Sequence, residues 1–360
     1  MTSASMIRDE HIDLGVSQGI ISAAQAAQLR ALVTGAPTTS AISAELDAGD
    51  PDDERFRLIG GFNDIFVSIG VLLLVSALFG LTSTLGFGAG FALIAMVAAW
   101  ALSEVFARRL RLALPAIALS LMFAVAGGIA AYMLVTGALQ AAGLSDPEAA
   151  TSPSWTLFGL GAAFAAVLHR WRFRVPIDTA IVAAGLVCAV MGGFEIADAQ
   201  WTSDHRSLLL AVLGGLVFAT AVYIDATDTH RLTRRSDVAF WLHLLAAPML
   251  VQAVSSLLFG PTSELGVSQA IGILGLFAVF GLVALILDRR ALLVSGMSYA
   301  GLAIGYLLSE SLAKDISLSL TLLGLATLVL LLSAQWRSLR RAVLRVLPLG
   351  HLRQFVPPAS

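Results

Sequence analysis

From about residue 59 onward, long apolar runs alternate with short polar breaks. A run of roughly 20 apolar residues is enough to cross about 30 Å of hydrocarbon as an α-helix. Ten such runs are present, at 63–84, 87–107, 112–139, 154–168, 175–197, 207–225, 238–259, 268–287, 291–309 and 316–335. They are continuous, unlike the short alternating segments of a membrane β-barrel. The pattern predicts an all-α fold, a polytopic transmembrane helix bundle of about ten spans within residues 59–335. The third run is long, with Gly127-Gly128 at its centre. The fourth is short, and Trp155 and Trp171 extend it toward the headgroup layers that suit indole rings.

The ends read differently. Residues 1–58 are polar and predict a cytoplasmic helical segment and linker. "MIRDEHIDLGVSQG" forms a short helix ending near Gly19. "ISAAQAAQLRALVTG" forms a second, with Ser22 and Gln25 in capping-box spacing and Gly35 as its stop. "DPDDE" is the linker. Residues 336–360 predict a cytoplasmic basic amphipathic helix and tail. Trp336, Leu339, Val343 and Leu347 share one face, arginines another, and Pro348 ends the helix. The basic residues Arg337, Arg340, Arg341 and Arg345 then face anionic lipid from an interfacial helix. Docking of that helix on the protein's own loops is the alternative.

Composition narrows the class. Of the 360 residues, 58% are hydrophobic and 13% charged, against about 25% charged in soluble domains. Charge then tests the threading. With ten spans and a cytoplasmic N-terminus, 20 of the 22 Lys and Arg residues fall on cytoplasmic segments, leaving only Arg206 and Lys314 outside. One span too many or too few would scramble this positive-inside alternation. The expected location is a bacterial inner (plasma) membrane, multi-pass, with both termini cytoplasmic. The N-terminus has no apolar core, so no cleavable signal peptide is expected and the first span does the targeting. Cys188 is the single cysteine and has no partner for an internal disulfide.

Ionisable residues inside a bilayer mark functional sites by default, because their desolvation is costly. Asp64, Glu104, Asp178, Asp225, Asp237 and Asp288 all lie within about two turns of the expected cytoplasmic ends of spans. One reading is a ring of carboxylates balancing the arginine turns. Glu104–Arg108 and Arg174–Asp178 have the i, i+4 spacing for local pairs, and Asp288 adjoins Arg289 and Arg290. The other reading is a candidate polar vestibule, open to the cytoplasm, built from Asp64, Asp178, Asp237 and His243. His243 lies more than a turn inside the seventh run, and Pro248 should kink the helix beyond it. A coupled transporter would place acids or broken helices near mid-membrane, and none is evident.

No catalytic, cofactor or metal residue is assigned. Walker A, H-E-x-x-H and a strand-linked G-x-G-x-x-G are all missing. Asp225, Asp228 and His230 are too weak a grouping for a metal site. Nucleic acid is not an expected partner, because residues 1–58 carry nine acids against four arginines. The expected partners are the lipid bilayer, anionic lipid at the cytoplasmic face, and a protein docking on the N-terminal helix pair.

With "QGIISAAQAAQLRAL", then "RFRLIGGFNDIFVSIGVLLLVSALF", then "RRSDVAFWLHLLAAP", the chain resembles a group of bacterial multi-pass inner-membrane proteins of unknown function. That group has a short N-terminal helix pair followed by eight to ten spans. The resemblance implies no activity and no site residues. Two functions follow as expectations: a non-catalytic scaffold or regulatory protein, or a transporter of a small or amphipathic solute through the vestibule.

Overall fold

The computed structural model describes residues 9–18, 26, 62–85, 89–143, 154–228, 233–260, 266–311 and 314–346. The chain divides into two compact units, Met1–Arg55 and Phe56–Ser360. In the first unit the expected opening helix is α1 (Asp9–Ser17). Ile12 is buried, while Asp13 and Leu14 are exposed. The second helix of the expected pair lies outside the described residues except for Ala26, and the "DPDDE" linker lies wholly outside them.

The second unit is an all-α bundle of ten helices among the described residues, one for each apolar run. They are α2 (Phe62–Leu85), α3 (Ala89–Ser103), α4 (Ala113–Ala141), α5 (Ser154–Phe173), α6 (Ile177–Ala197), α7 (Ala199–Ala226), α8 (Arg234–Phe259), α9 (Val267–Leu287), α10 (Ala291–Ser311) and α11 (Lys314–Val346). Eight of these, α3 together with its continuation to Arg109, α4 and α6–α11, are long and apolar enough to cross a membrane. α2 is apolar over Asp64–Leu78, and α5 carries its apolar centre between a Ser-Trp-Thr start and a His-Arg-Trp-Arg end.

Where helix ends differ from the apolar runs, capping and packing give the reason. α7 begins at Ala199 because Asp198 caps it, its Oδ1 accepting the Trp201 N–H at 2.9 Å. α8 begins at Arg234 because Thr233 caps it, its hydroxyl accepting the Arg235 N–H at 3.2 Å. That helix continues past Pro248 to Phe259.

The basic C-terminal helix forms the last turns of α11, continuous with the tenth run. "SAQWRSLRRAVLR" contains neither Gly nor Pro to break the helix. Two of its residues, Trp336 and Arg340, are buried against the bundle.

Packing has two focal points. α4 and α6 both lie against α5, and glycines let the backbones meet. A Cβ added at Gly159 would sit 2.4 Å from the Gly185 carbonyl oxygen, and one at Gly185 would sit 2.7 Å from the Gly159 oxygen. α8 is the second focus. It shares Ala180, Val217, Ala221 and Leu242 with α6 and α7, and Ala247, Ala284 and Leu292 with α9 and α10. Gly301 and Gly305 of α10 make a small face that packs toward Leu325 and Thr321 of α11.

Three non-glycine residues among those described adopt left-handed backbone: Arg111, Arg174 and Asp288, with φ of 54°, 57° and 53°. They close the α3–α4, α5–α6 and α9–α10 hairpins, all at the arginine-bearing end. For an L-residue this conformation costs roughly 1–2 kcal/mol, least for Asp and Asn. Before Arg111, the helix widens into a π segment, Glu104–Arg109.

Candidate functional site

Buried polar side chains gather at the arginine-bearing end in three clusters. The first joins four helices around His169, at the end of α5. Ser103 Oγ lies 3.1 Å from His169 Nε2. Both carboxylate oxygens of Asp178 lie 3.1 Å from Nδ1, and Ser120 Oγ lies 3.3 Å from it. Asp178 accepts the Nδ1–H, which leaves Nε2 to accept the Ser103 hydroxyl proton. Phe123 and Phe173 pack on the ring. The contacts run in the order of a Ser–His–Asp triad. All four polar side chains, however, are fully enclosed, and Ser120 shares Nδ1 with Asp178. The group is built to tie α3, α4, α5 and α6 together, with no face open to a substrate.

The second cluster is centred on Asp225, at the end of α7. His243 Nε2 lies 3.0 Å from its Oδ2. Arg289, from the α9–α10 turn, donates through Nε to Oδ2 at 2.9 Å and through Nη2 to Oδ1. Arg289 Nη2 also donates to Ser236 Oγ at 3.1 Å. This two-point guanidinium grip on a carboxylate is the strong form of the pairing. Phe218 meets His243 edge to face.

The third cluster is joined to the second by a peptide bond. Asp288 points the other way from Arg289 and accepts the Trp336 indole N–H at 2.7 Å. Arg340 Nε lies 3.7 Å from the same carboxylate, and the Arg290 guanidinium stacks 5.3 Å over the Trp336 ring. The left-handed backbone at Asp288 lets adjacent residues reach opposite sides. Asp288-Arg289 thereby fastens α11 on one side and α7–α8 on the other.

The four residues expected to line a vestibule occupy different parts of this end. Asp178 and His243 are buried in different clusters. Asp64 is buried in the first turn of α2, and Asp237 is exposed in the first turn of α8. The expected Glu104–Arg108 pair is present at 3.0 Å, with Arg172 added at 2.6 Å. The Arg174–Asp178 pair is not, because the left-handed turn at Arg174 breaks the helical spacing and Asp178 engages His169 instead. Arg340 is buried against Asp288 and does not face lipid, while Arg337, Arg341 and Arg345 are exposed.

Sequence reading passed over His169 and its serines. The available signal was the pairing of His169 with Asp178 across the tight "RWRFRVP" turn, which sets two helix ends side by side. Arg289 offered no comparable signal, being 64 residues from Asp225. Among the described residues, no three His, Cys, Asp or Glu side chains converge as a metal site.

At the α3–α4 and α5–α6 turns the arginines behave differently. Arg108, Trp171, Arg172 and Arg174 line an open cavity of about 570 Å³. Arg109, Arg111 and Arg170 are exposed around it. Compared with family models, curated proteins and solved structures, the chain matches none. The bundle itself defines the class: a multi-pass membrane protein of all-α architecture.

Proposed function

We propose that this protein is a non-catalytic scaffold or regulatory component of a bacterial inner membrane, with its arginine-bearing end and both termini in the cytoplasm. That end engages lipid or partner proteins, and the bundle moves no solute. The observation that carries this reading is the closure of the polar layer upon itself. Asp178 is enclosed with His169, and Asp225 is gripped by His243 and Arg289. Beneath them α5 and α6 approach to glycine contact. A carrier needs polar groups that exchange partners with its cargo, and a packed clamp offers none.

A transporter is the second reading, favoured by two buried His–Asp pairs at one end of a membrane bundle, a setting suited to proton carriers. Reconstitution into liposomes containing a pH-sensitive dye separates the two. The scaffold reading predicts that proton entry under an imposed gradient equals that of protein-free vesicles. Entry that rises with protein and is abolished in His243→Ala, with folding intact, would establish the carrier instead.

A further inference from the structure

The cavity at the first two arginine turns has a ligand chemistry of its own. Six arginines, Arg108, Arg109, Arg111, Arg170, Arg172 and Arg174, stand in these two turns. Glu104 is the acid that meets them, accepting from Arg108 at 3.0 Å and from Arg172 at 2.6 Å. Asp178, the next nearest in sequence, is enclosed with His169. Among the described residues no ion pair engages Arg109, Arg111, Arg170 or Arg174. A concentrated positive field around an open cavity, with two guanidinium groups held in place by Glu104, selects a phosphate-like anion.

The surface below the cavity indicates what carries that anion. Trp171 lines the cavity and is 76% exposed. From it an exposed apolar stripe runs down α5 at helical spacing: Val167, Phe164 and Leu160, at 52%, 72% and 50%. Phe164 and Trp171 are among the most exposed aromatic rings of the bundle. An indole at headgroup level above an apolar track matches the two ends of an amphiphile. A free phosphate would use only the upper half of this surface.

We propose that the α3–α4 and α5–α6 turns bind the phosphodiester headgroup of an anionic membrane lipid, with an acyl chain lying along Leu160, Phe164 and Val167. The site takes from the scaffold reading only the side of the membrane it meets, and it exists whether or not the bundle transports. It differs from the C-terminal basic helix, where Arg340 is turned inward.

The test uses the full-length protein in nanodiscs of phosphatidylcholine doped with brominated phosphatidylglycerol or brominated phosphatidylcholine. Trp171 fluorescence is isolated by subtracting a Trp171→Phe variant. Phosphatidylglycerol should quench at several-fold lower mole fraction than phosphatidylcholine. Arg108→Gln and Arg174→Gly should each reduce that preference about five-fold, the effect expected for one interfacial arginine. Arg174→Gly keeps the hairpin intact, because glycine accepts the left-handed backbone without strain. Arg341→Gln, on α11, should leave the preference unchanged.

Equal quenching by the two lipids would overturn the proposal, as would a preference indifferent to Arg108 and Arg174. Displacement of phosphatidylglycerol by millimolar inorganic phosphate would assign the cavity to a soluble anion and overturn the lipid. Proton entry measured on the same preparation scores the scaffold reading separately.

Discussion

The two halves of the bundle use the same residue type for opposite ends. In α3–α6, arginine stays in the turns and points outward, and the interior is held by an uncharged or hydrogen-bonded set: glycine contacts, alanines and the His169 cluster. In α7–α11, two arginines turn inward while Arg234, Arg235, Arg337, Arg341 and Arg345 stay exposed. Arg289 grips Asp225, and Arg340 lies beside Asp288 under Trp336. An arginine-rich turn therefore carries two meanings that its composition does not separate. One is a topology signal that stays in water or headgroups; the other is a buried cross-link. The difference follows from packing. Where backbones meet through glycine, as at Gly159 and Gly185, no room remains for a guanidinium. Where helices are joined across longer sequence distances, an ion pair specifies which helix meets which.

The largest expected effect breaks the inward half. Asp225→Asn leaves the Arg289 guanidinium buried without its carboxylate, and removing one member of a buried ion pair costs about 3–5 kcal/mol. Denaturation in mixed detergent micelles, followed by circular dichroism, would register it. An unchanged midpoint would mean that Arg289 finds water or lipid as readily as Asp225.

A smaller effect addresses the outward half. Gly159→Ala forces a methyl against the Gly185 carbonyl, and such overpacking costs about 1–3 kcal/mol. The same denaturation assay checks it, and a stable variant would show that α5 and α6 can part without loss. Trp336→Phe keeps an aromatic ring, though a smaller one, and removes the hydrogen bond to Asp288, for a loss of at least about 1.5 kcal/mol. It should also raise protease access to the end of α11. The smallest effect is at Arg111. Arg111→Gly relieves left-handed strain but loosens the unfolded chain, so stability should move by less than about 1 kcal/mol, and upward if at all.

Much of the architecture was legible in the residues, for a simple reason. A bilayer imposes one length and one polarity on every span, so apolar runs map onto helices one for one. Helix ends were less legible, since Asp198 and Thr233 set them through single side-chain caps. The candidate site was least legible. Asp178 and His243 were identified as residues of interest, but their partners were not: His169 sits in a charged-looking turn, and Arg289 reads like any other topology arginine. Asp288 and Arg289 are neighbours in sequence yet face different helices, because one left-handed residue separates their directions. Arg340 misled in the opposite sense. Helical periodicity placed it beside the basic face, and only the position of Trp336 against Asp288 shows it turned inward.

The contrast between outward and inward arginines is most directly tested by comparing Arg174→Gln with Arg289→Gln in one detergent and one unfolding assay. Both remove one positive charge from a turn at the same end of the bundle. The account predicts that Arg174→Gln stays within about 0.5 kcal/mol of the parent, as an exposed surface substitution does. Arg289→Gln should lose about 3 kcal/mol or more. Equal losses, or a larger loss at Arg174, would contradict it.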